Sequence, residues 1–177
     1  MNIFYQFAWI IPVIPLSSAI LGGVGLIGFR KATQSFQWRY AILCGSFMGL
    51  SMIYSFILLY LQYIDSNYYE YNLNWFTDDP IVLQLGYRID SLSTLMLCVV
   101  TTVSLLVMIY SHGYMKYDLG YTRFFSYLSL FSSSMLGLVL SPNLIQIYIF
   151  WELIGMCSYL LIGFWSTRTT AGDACQK

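Results

Sequence analysis

Glu152 lies inside an apolar run from Asn143 to Trp165 that holds no other Asp, Glu, Lys or Arg. Nine residues into a membrane-length helix, a carboxyl group sits roughly 13–14 Å deep. Holding an acid there costs on the order of 2.5–3.5 kcal/mol, so it has to be protonated, paired with a cation or wetted by a cavity. A carboxylate kept at that cost points to proton transfer or an ion pathway, with a packing acid satisfied by a neighbour's hydroxyl as the plainer alternative. Tyr148 at i−4 and Tyr159 at i+7 share the Glu152 face and are placed to hydrogen-bond the acid or a bound water. Gly155 at i+3 leaves room for a neighbouring helix. No other apolar run carries a central Lys or Arg, so the expected partner is water, a residue beyond Lys177 or another subunit.

Other reactive residue types carry less. His112, the single histidine, falls at the end of an apolar run, where a helix dipole favours it, and proton entry is its functional alternative. Asp90 followed by Ser91 reads as a helix N-cap. Gly23-Val24-Gly25-Leu26-Ile27-Gly28 fits a dinucleotide fingerprint in letters only, because no strand precedes it and the run is apolar throughout. Its glycines read as helix-contact residues. Cys44, Cys98, Cys157 and Cys175 show no Cys-x-x-Cys spacing, so a metal, a cluster or a disulfide framework is not expected.

The elements that hold these residues follow from composition. Of 177 residues, 58% are hydrophobic and 9% charged, against about 25% charged in a soluble domain. That excludes an ordinary soluble enzyme, a disordered tail and a nucleic-acid binder, and leaves an integral membrane protein in contact with the lipid bilayer. The expected fold is all-α, with about five transmembrane helices over 7–29, 40–64, 90–111, 124–140 and 143–165. Pro12 and Pro15 fall in the first turns of the first span. Small residues supply packing faces: Ser18, Gly22 and Gly25, then Gly45 with Gly49 and Ser51 with Ser55. Ser126, Ser129 and Ser133 share a face that points into the bundle.

The segment 65–89 is too polar to span. Tyr69, Tyr71, Leu73 and Trp75 alternate with polar residues, as do Ile81, Leu83, Leu85 and Tyr87 after Asp78-Asp79-Pro80. Two runs of period two about a turn predict a β-hairpin-like loop with an aromatic face on the bundle end or in the interfacial belt. Arg30, Lys31, Arg39, Lys116, Arg123, Arg168 and Lys177 fall on one side of a five-span chain, and Arg88 alone on the other. The positive-inside rule then places the N-terminus and the hairpin on the lumenal or outer side and the C-terminal end on the cytoplasm-like side.

The run Asn143 to Trp165, with Trp151-Glu152 at its centre, resembles the antiporter-like membrane subunits of complex I. Gly86-Tyr87-Arg88-Ile89-Asp90-Ser91-Leu92-Ser93 and Tyr121-Thr122-Arg123-Phe124-Phe125-Ser126-Tyr127 continue the likeness. The opening Tyr5-Gln6-Phe7-Ala8-Trp9-Ile10-Ile11-Pro12 and the closing Ala174-Cys175-Gln176-Lys177 are similar to the plastid branch of that family. The resemblance implies a proton-translocating subunit of a thylakoid membrane arm, with Glu152 at the family's intramembrane glutamate and its lysine partner on a later helix. It implies an N-terminal part, over 1–177, of a longer subunit. Partners would be the other membrane-arm and hydrophilic subunits of an NAD(P)H- or ferredoxin-driven complex. This chain would bind no cofactor: FMN and iron–sulfur clusters, or ferredoxin, would belong to those partners, and plastoquinone would be the substrate of the whole complex. A cation/proton antiporter component without redox coupling and a structural or assembly subunit are the competing readings.

Overall fold

In a computed structural model of the chain, the described residues are 3–28, 37–65, 68–78, 81–116, 118 and 120–165. A short helix α1 (Ile3–Gln6) precedes α2 (Ile10–Gly28) and α3 (Gln37–Asp65). The antiparallel strands β1 (Tyr69–Asp78) and β2 (Ile81–Ile89) follow, and then α4 (Ser91–Tyr114), α5 (Tyr121–Leu140) and α6 (Leu144–Ile162). A single 3-10 turn, Gly163–Trp165, closes the described chain.

Helices α3 to α6, the last with its 3-10 turn, are long and apolar enough to cross a membrane, and α2 carries a shorter apolar stretch, Ile10–Leu26. The protein is thus an all-α multi-pass membrane protein with one small two-stranded sheet. The first expected span starts later than its composition suggests because Phe7–Trp9 form a turn between α1 and α2. Its expected last residue, Phe29, lies outside the described residues. Helix α5 starts three residues earlier than expected, since the Asp118 carboxylate accepts the Gly120 N–H at 2.9 Å and turns the chain into the helix.

Helix α5 is the hub. It packs against α2, α3, α4 and α6, while α2 with α3 and α3 with α4 complete one side. Its sequence suits the centre of a membrane bundle. Ser126, Ser129, Ser132, Ser133 and Ser134 are all buried, and small side chains let neighbouring backbones approach. Most of these hydroxyls return to their own helix, as Ser132 does to the Leu128 carbonyl and Ser134 to the Leu130 carbonyl. Ser133 instead donates across to the Pro12 carbonyl of α2 at 2.7 Å, and Ser126 meets the Tyr40 hydroxyl of α3 at 3.0 Å. The apolar core around them includes Ile11, Met48, Leu58, Leu97, Phe125 and Leu136.

The small-residue faces divide. Gly22 is a true close approach: a side chain there would run into Tyr40 and Ser126. Ser51 and Ser55 are fully buried. Gly45 and Gly49, expected to seat a neighbouring helix, face open space, and a Cβ at either would meet nothing within 4 Å. The reason is angular. On α3 the Ser51–Ser55 face is the one turned towards the bundle, and the two glycines lie on another.

The hairpin is half seated. Tyr87 and Ile89 are buried at its base. There the Tyr69 ring stacks on Tyr5 and lies 5.9 Å from Tyr87, and the Tyr87 hydroxyl donates to the Gln6 carbonyl at 2.6 Å. Further out Tyr71, Leu73 and Trp75 are exposed. A register shift between Asn74 and Phe76 leaves Trp75 without a partner across the ladder, as a bulge does. The aromatic face therefore rests on the bundle end only along its inner half.

Candidate functional site

Helix α6 is held by one stripe. Asn143 caps it, accepting the Gln146 N–H at 2.8 Å. The Gln146 side chain then clamps β2 at two points, accepting the Gly86 N–H at 3.0 Å and donating to the Gly86 carbonyl at 2.9 Å. Asn143 adds a bond to the Gln84 carbonyl at 2.6 Å. Further along, Phe150 lies over Gly137 of α5, where a side chain on the glycine would collide with its ring. Gln146 and Cys157 are the buried residues of the helix.

Residues 146, 150, 153 and 157 fall along one line of an α-helix at 100° per residue, and 148, 152 and 159 fall on the opposite side. The structure obeys that arithmetic. Glu152 is exposed, as are Tyr148 and Tyr159. Glu152 thus sits about 13 Å along the helix from the Asn143 cap, on the side turned away from its own bundle. Among the described residues it has no hydrogen bond and no ion pair, and neither tyrosine is bonded to it. The expected grouping of Glu152 with Tyr148 and Tyr159 is therefore one of position on a shared face without contact. Gly155 also opens to free space. Trp151, Ile145 and Met156 extend this exposed side into a broad apolar surface around a single acid.

His112 lies in the last turn of α4. Its Nδ1 is 2.5 Å from the Tyr121 hydroxyl, and its ring meets Trp38 edge-on with centroids 5.1 Å apart. Asp90 is the N-cap of α4. Its carboxylate accepts the Ser93 N–H at 2.6 Å, and its own N–H donates to the Ser93 hydroxyl at 2.8 Å, closing a capping box. Arg88 stands 3.6 Å away. Burial pushes the Asp90 carboxyl up, and the Ser93 bonds with the Arg88 charge outweigh it, so the group titrates below its ordinary range. Asp118 is likewise held below its ordinary range by the Gly120 N–H and then the Trp165 indole N–H. Of the cysteines, Cys44, Cys98 and Cys157 are free and buried, and Cys175 lies outside the described residues.

Two features had no signal in the sequence. The Gln146 clamp joins residues 60 apart, and only a glutamine one turn into a mostly apolar helix hinted at it. The Ser18–Tyr40–Ser126 junction, in which the Tyr40 hydroxyl donates to the Ser18 carbonyl at 2.8 Å, joins three helices. Beside it the Ser129 hydroxyl is buried without a partner among the described residues.

The chain is similar to proteins whose names describe one assembly. The family described as NADH-ubiquinone oxidoreductase (complex I), chain 5 N-terminus, matches residues 75–125. The family described as NADH:quinone oxidoreductase/Mrp antiporter, TM, matches residues 141–177 and so covers Glu152. Among curated relatives, NAD(P)H-quinone oxidoreductase subunit 5, chloroplastic, of Mesostigma viride is 55% identical over 172 residues, 97% of this chain and 26% of the relative. The protein of the same name from Anthoceros angustus is 56% identical over 177 residues, 100% of this chain and 24% of its own length. NAD(P)H-quinone oxidoreductase chain 5 of Picosynechococcus is 56% identical over 173 residues, 98% of this chain and 26% of the relative. The chain spans about a quarter of the length of these relatives.

Proposed function

We propose, since the chain belongs to the chain 5 family of antiporter-like complex I membrane subunits, that it contributes Glu152 as a proton-transfer carboxylate to a proton-translocating quinone oxidoreductase. The observation that carries this reading is the placement of Glu152. A lone acid in the middle of a crossing helix, turned away from the helices packed against it, is half of an arrangement. Whenever it is ionised, its stabilisation has to come from outside the described bundle, as a cation or a wetted channel on the α6 face. A carboxylate whose partner approaches and withdraws changes its proton affinity with each approach, which is the physical basis of driving a proton across a membrane. Tyr148 and Tyr159, on the same face, are hydroxyl carriers along that path.

Electron transfer belongs to other subunits in this reading, with FMN, iron–sulfur clusters or ferredoxin in those partners and plastoquinone as the acceptor. The chloroplast names of the relatives support a thylakoid location. The crowding of Arg39, Lys116 and Arg123 at one bundle end supports a stromal placement of that end and a lumenal hairpin. His112 at the cationic end is a candidate for proton entry from the stroma.

The test is Glu152→Gln in the full-length protein within its complex. The expected result is normal assembly and electron transfer to quinone with loss of proton pumping. Unaltered pumping with the variant overturns the proposal. Infrared difference spectra should show a carboxyl band that changes with turnover and vanishes in the variant, whereas a packing acid would show no change.

A further inference from the structure

The contacts of α6 with its own bundle follow one seam. Gln146, Phe150 and Cys157 lie on it. Phe164 of the 3-10 turn, 18 residues after Gln146, returns to the same side after five full turns and is buried. Its ring fills the space over Gly120 and meets Phe124 edge-on with centroids 5.5 Å apart. The Arg123 guanidinium lies 5.1 Å above it. A helix held along a single line resists sliding, but it can still roll about that line.

Trp165 stands off the seam. One residue on from Phe164, it is turned by about 100–120° around the axis. Its indole N–H donates to one oxygen of the Asp118 carboxylate at 2.9 Å, a charge-assisted bond. The other oxygen accepts the Gly120 N–H at 2.9 Å, at the start of α5. Asp118 thus ties the last turn of the crossing segment to the connection between α4 and α5. At the opposite end Asn143 and Gln146 both fasten to a single strand, β2. In the half of α6 beyond Glu152, the bond to Asp118 is therefore placed to oppose a roll.

Glu152 is on the face opposite the seam, where a roll has most effect. Across a helix about 10–12 Å wide, a roll of about 10° carries a group on the far side by roughly 2 Å. For a carboxylate about 3–4 Å from a cation, a change of ~1 Å alters proton affinity about tenfold at an effective dielectric of about 20. We propose that Asp118 and Trp165 are positioning residues for Glu152. Their bond fixes the roll of α6, and with it the distance between the Glu152 carboxyl and the cation or water that it meets. The role in proton transfer rests on the reading of Glu152 given above.

The test is a static infrared pH titration of the full-length protein in its complex, with the Glu152 carboxyl band identified by its loss in Glu152→Gln. Trp165→Phe keeps an aromatic ring and removes the indole donor. Asp118→Asn keeps the shape and leaves one acceptor oxygen for two donors. A carboxylate moved off its stabilising partner holds its proton to higher pH. Trp165→Phe should therefore raise the Glu152 midpoint by about one pH unit, and Asp118→Asn should raise it as well. The double variant should shift it no further than the larger single change, because both break one bond. Cys157→Ala, which loosens α6 on the seam itself, should lower the unfolding temperature and leave the midpoint in place. A wild-type midpoint in Trp165→Phe and Asp118→Asn would overturn the positioning role, whatever happens to their stability. Spectra taken during turnover separate the two claims. A shifted static midpoint with no Glu152 change during turnover upholds the positioning and sinks proton transfer. A turnover signal with an unshifted midpoint does the reverse.

Discussion

Asp90 has a measurable part in the fold apart from any chemistry. Its capping box satisfies donors at the start of α4 that have no helical partner. Replacing an N-cap aspartate by alanine costs about 1 kcal/mol, so Asp90→Ala should lower the unfolding midpoint in detergent at neutral pH. The carboxyl titrates below its ordinary range in the folded protein. Its contribution is therefore complete above the unfolded value of about 3.9 and lost as pH falls through the lower folded value. The gap between wild type and Asp90→Ala should narrow across that acidic window, whereas Asp90→Asn should keep most of the cap and show no such narrowing. An equal gap at pH 7 and pH 3 would assign the loss to something other than the carboxylate. The Arg88 pair adds little, because Arg88 is exposed and Asp90 is only partly buried, so solvent screens the charges. Asp90 and Glu152 are both legible in the sequence for a common reason. A capping acid is defined by its next three residues and a membrane acid by its apolar surroundings, so neither needs a distant partner to be seen.

Among the elements, α6 depends most on few contacts. Its seat includes the Phe150–Gly137 approach, the buried Cys157, the Asn143–Gln84 bond and the Gln146 clamp on β2. Gly137→Leu should push Phe150 off α5 and destabilise the α5–α6 pair by about 1–3 kcal/mol. Gln146→Ala removes two bonds worth about 0.5–1.5 kcal/mol each and leaves the Gly86 amide and carbonyl unpaired. Both variants should unfold at lower temperature in detergent. Gln146→Ala should also open the hairpin to limited proteolysis, and unchanged proteolysis would show that its aromatic base and the Asn143–Gln84 bond suffice to hold β2. Long-range pairings of this kind are where the sequence is mute. Periodicity showed five apolar helices and a hairpin, and the spacing of Ser126, Ser129 and Ser133 showed their shared buried face. The Gly45–Gly49 spacing showed only that a face is small. Which neighbour meets it, or none, depends on how α3 is rotated by its other contacts, and the glycines carry no trace of that.

For the whole molecule, a net charge of zero conceals a polarity along the bundle axis. Arg39, Lys116 and Arg123 stand at one end, while Glu70, Arg88 and Asp90 stand at the hairpin end. Aromatic side chains mark both levels, with Trp38, Tyr110 and Tyr114 exposed at the first and Tyr60, Tyr63 and Tyr68 at the second. Cysteines introduced at Lys116 and at Glu70 of the full-length protein should react with an impermeant maleimide from opposite sides of sealed vesicles. Under the proposed orientation the cationic end should be labelled from the stromal side, and labelling of both from one side would overturn it. The apolar surface of α6 extends the picture, because among the described residues of that helix only Gln146 and Cys157 are buried.

The bond between Gly86 and Gln146 also orders events during synthesis. A chain that emerges N-terminus first presents the hairpin before α6 exists. At that stage the Gly86 N–H and carbonyl have only water, and β2 has one free edge, the state in which strands pair with the wrong neighbour. Insertion of α6 ends that interval by bringing Asn143 and Gln146 up to the edge. The glutamine that fastens the finished fold can therefore close the β2 edge only after α6, the helix that carries Glu152, has been made.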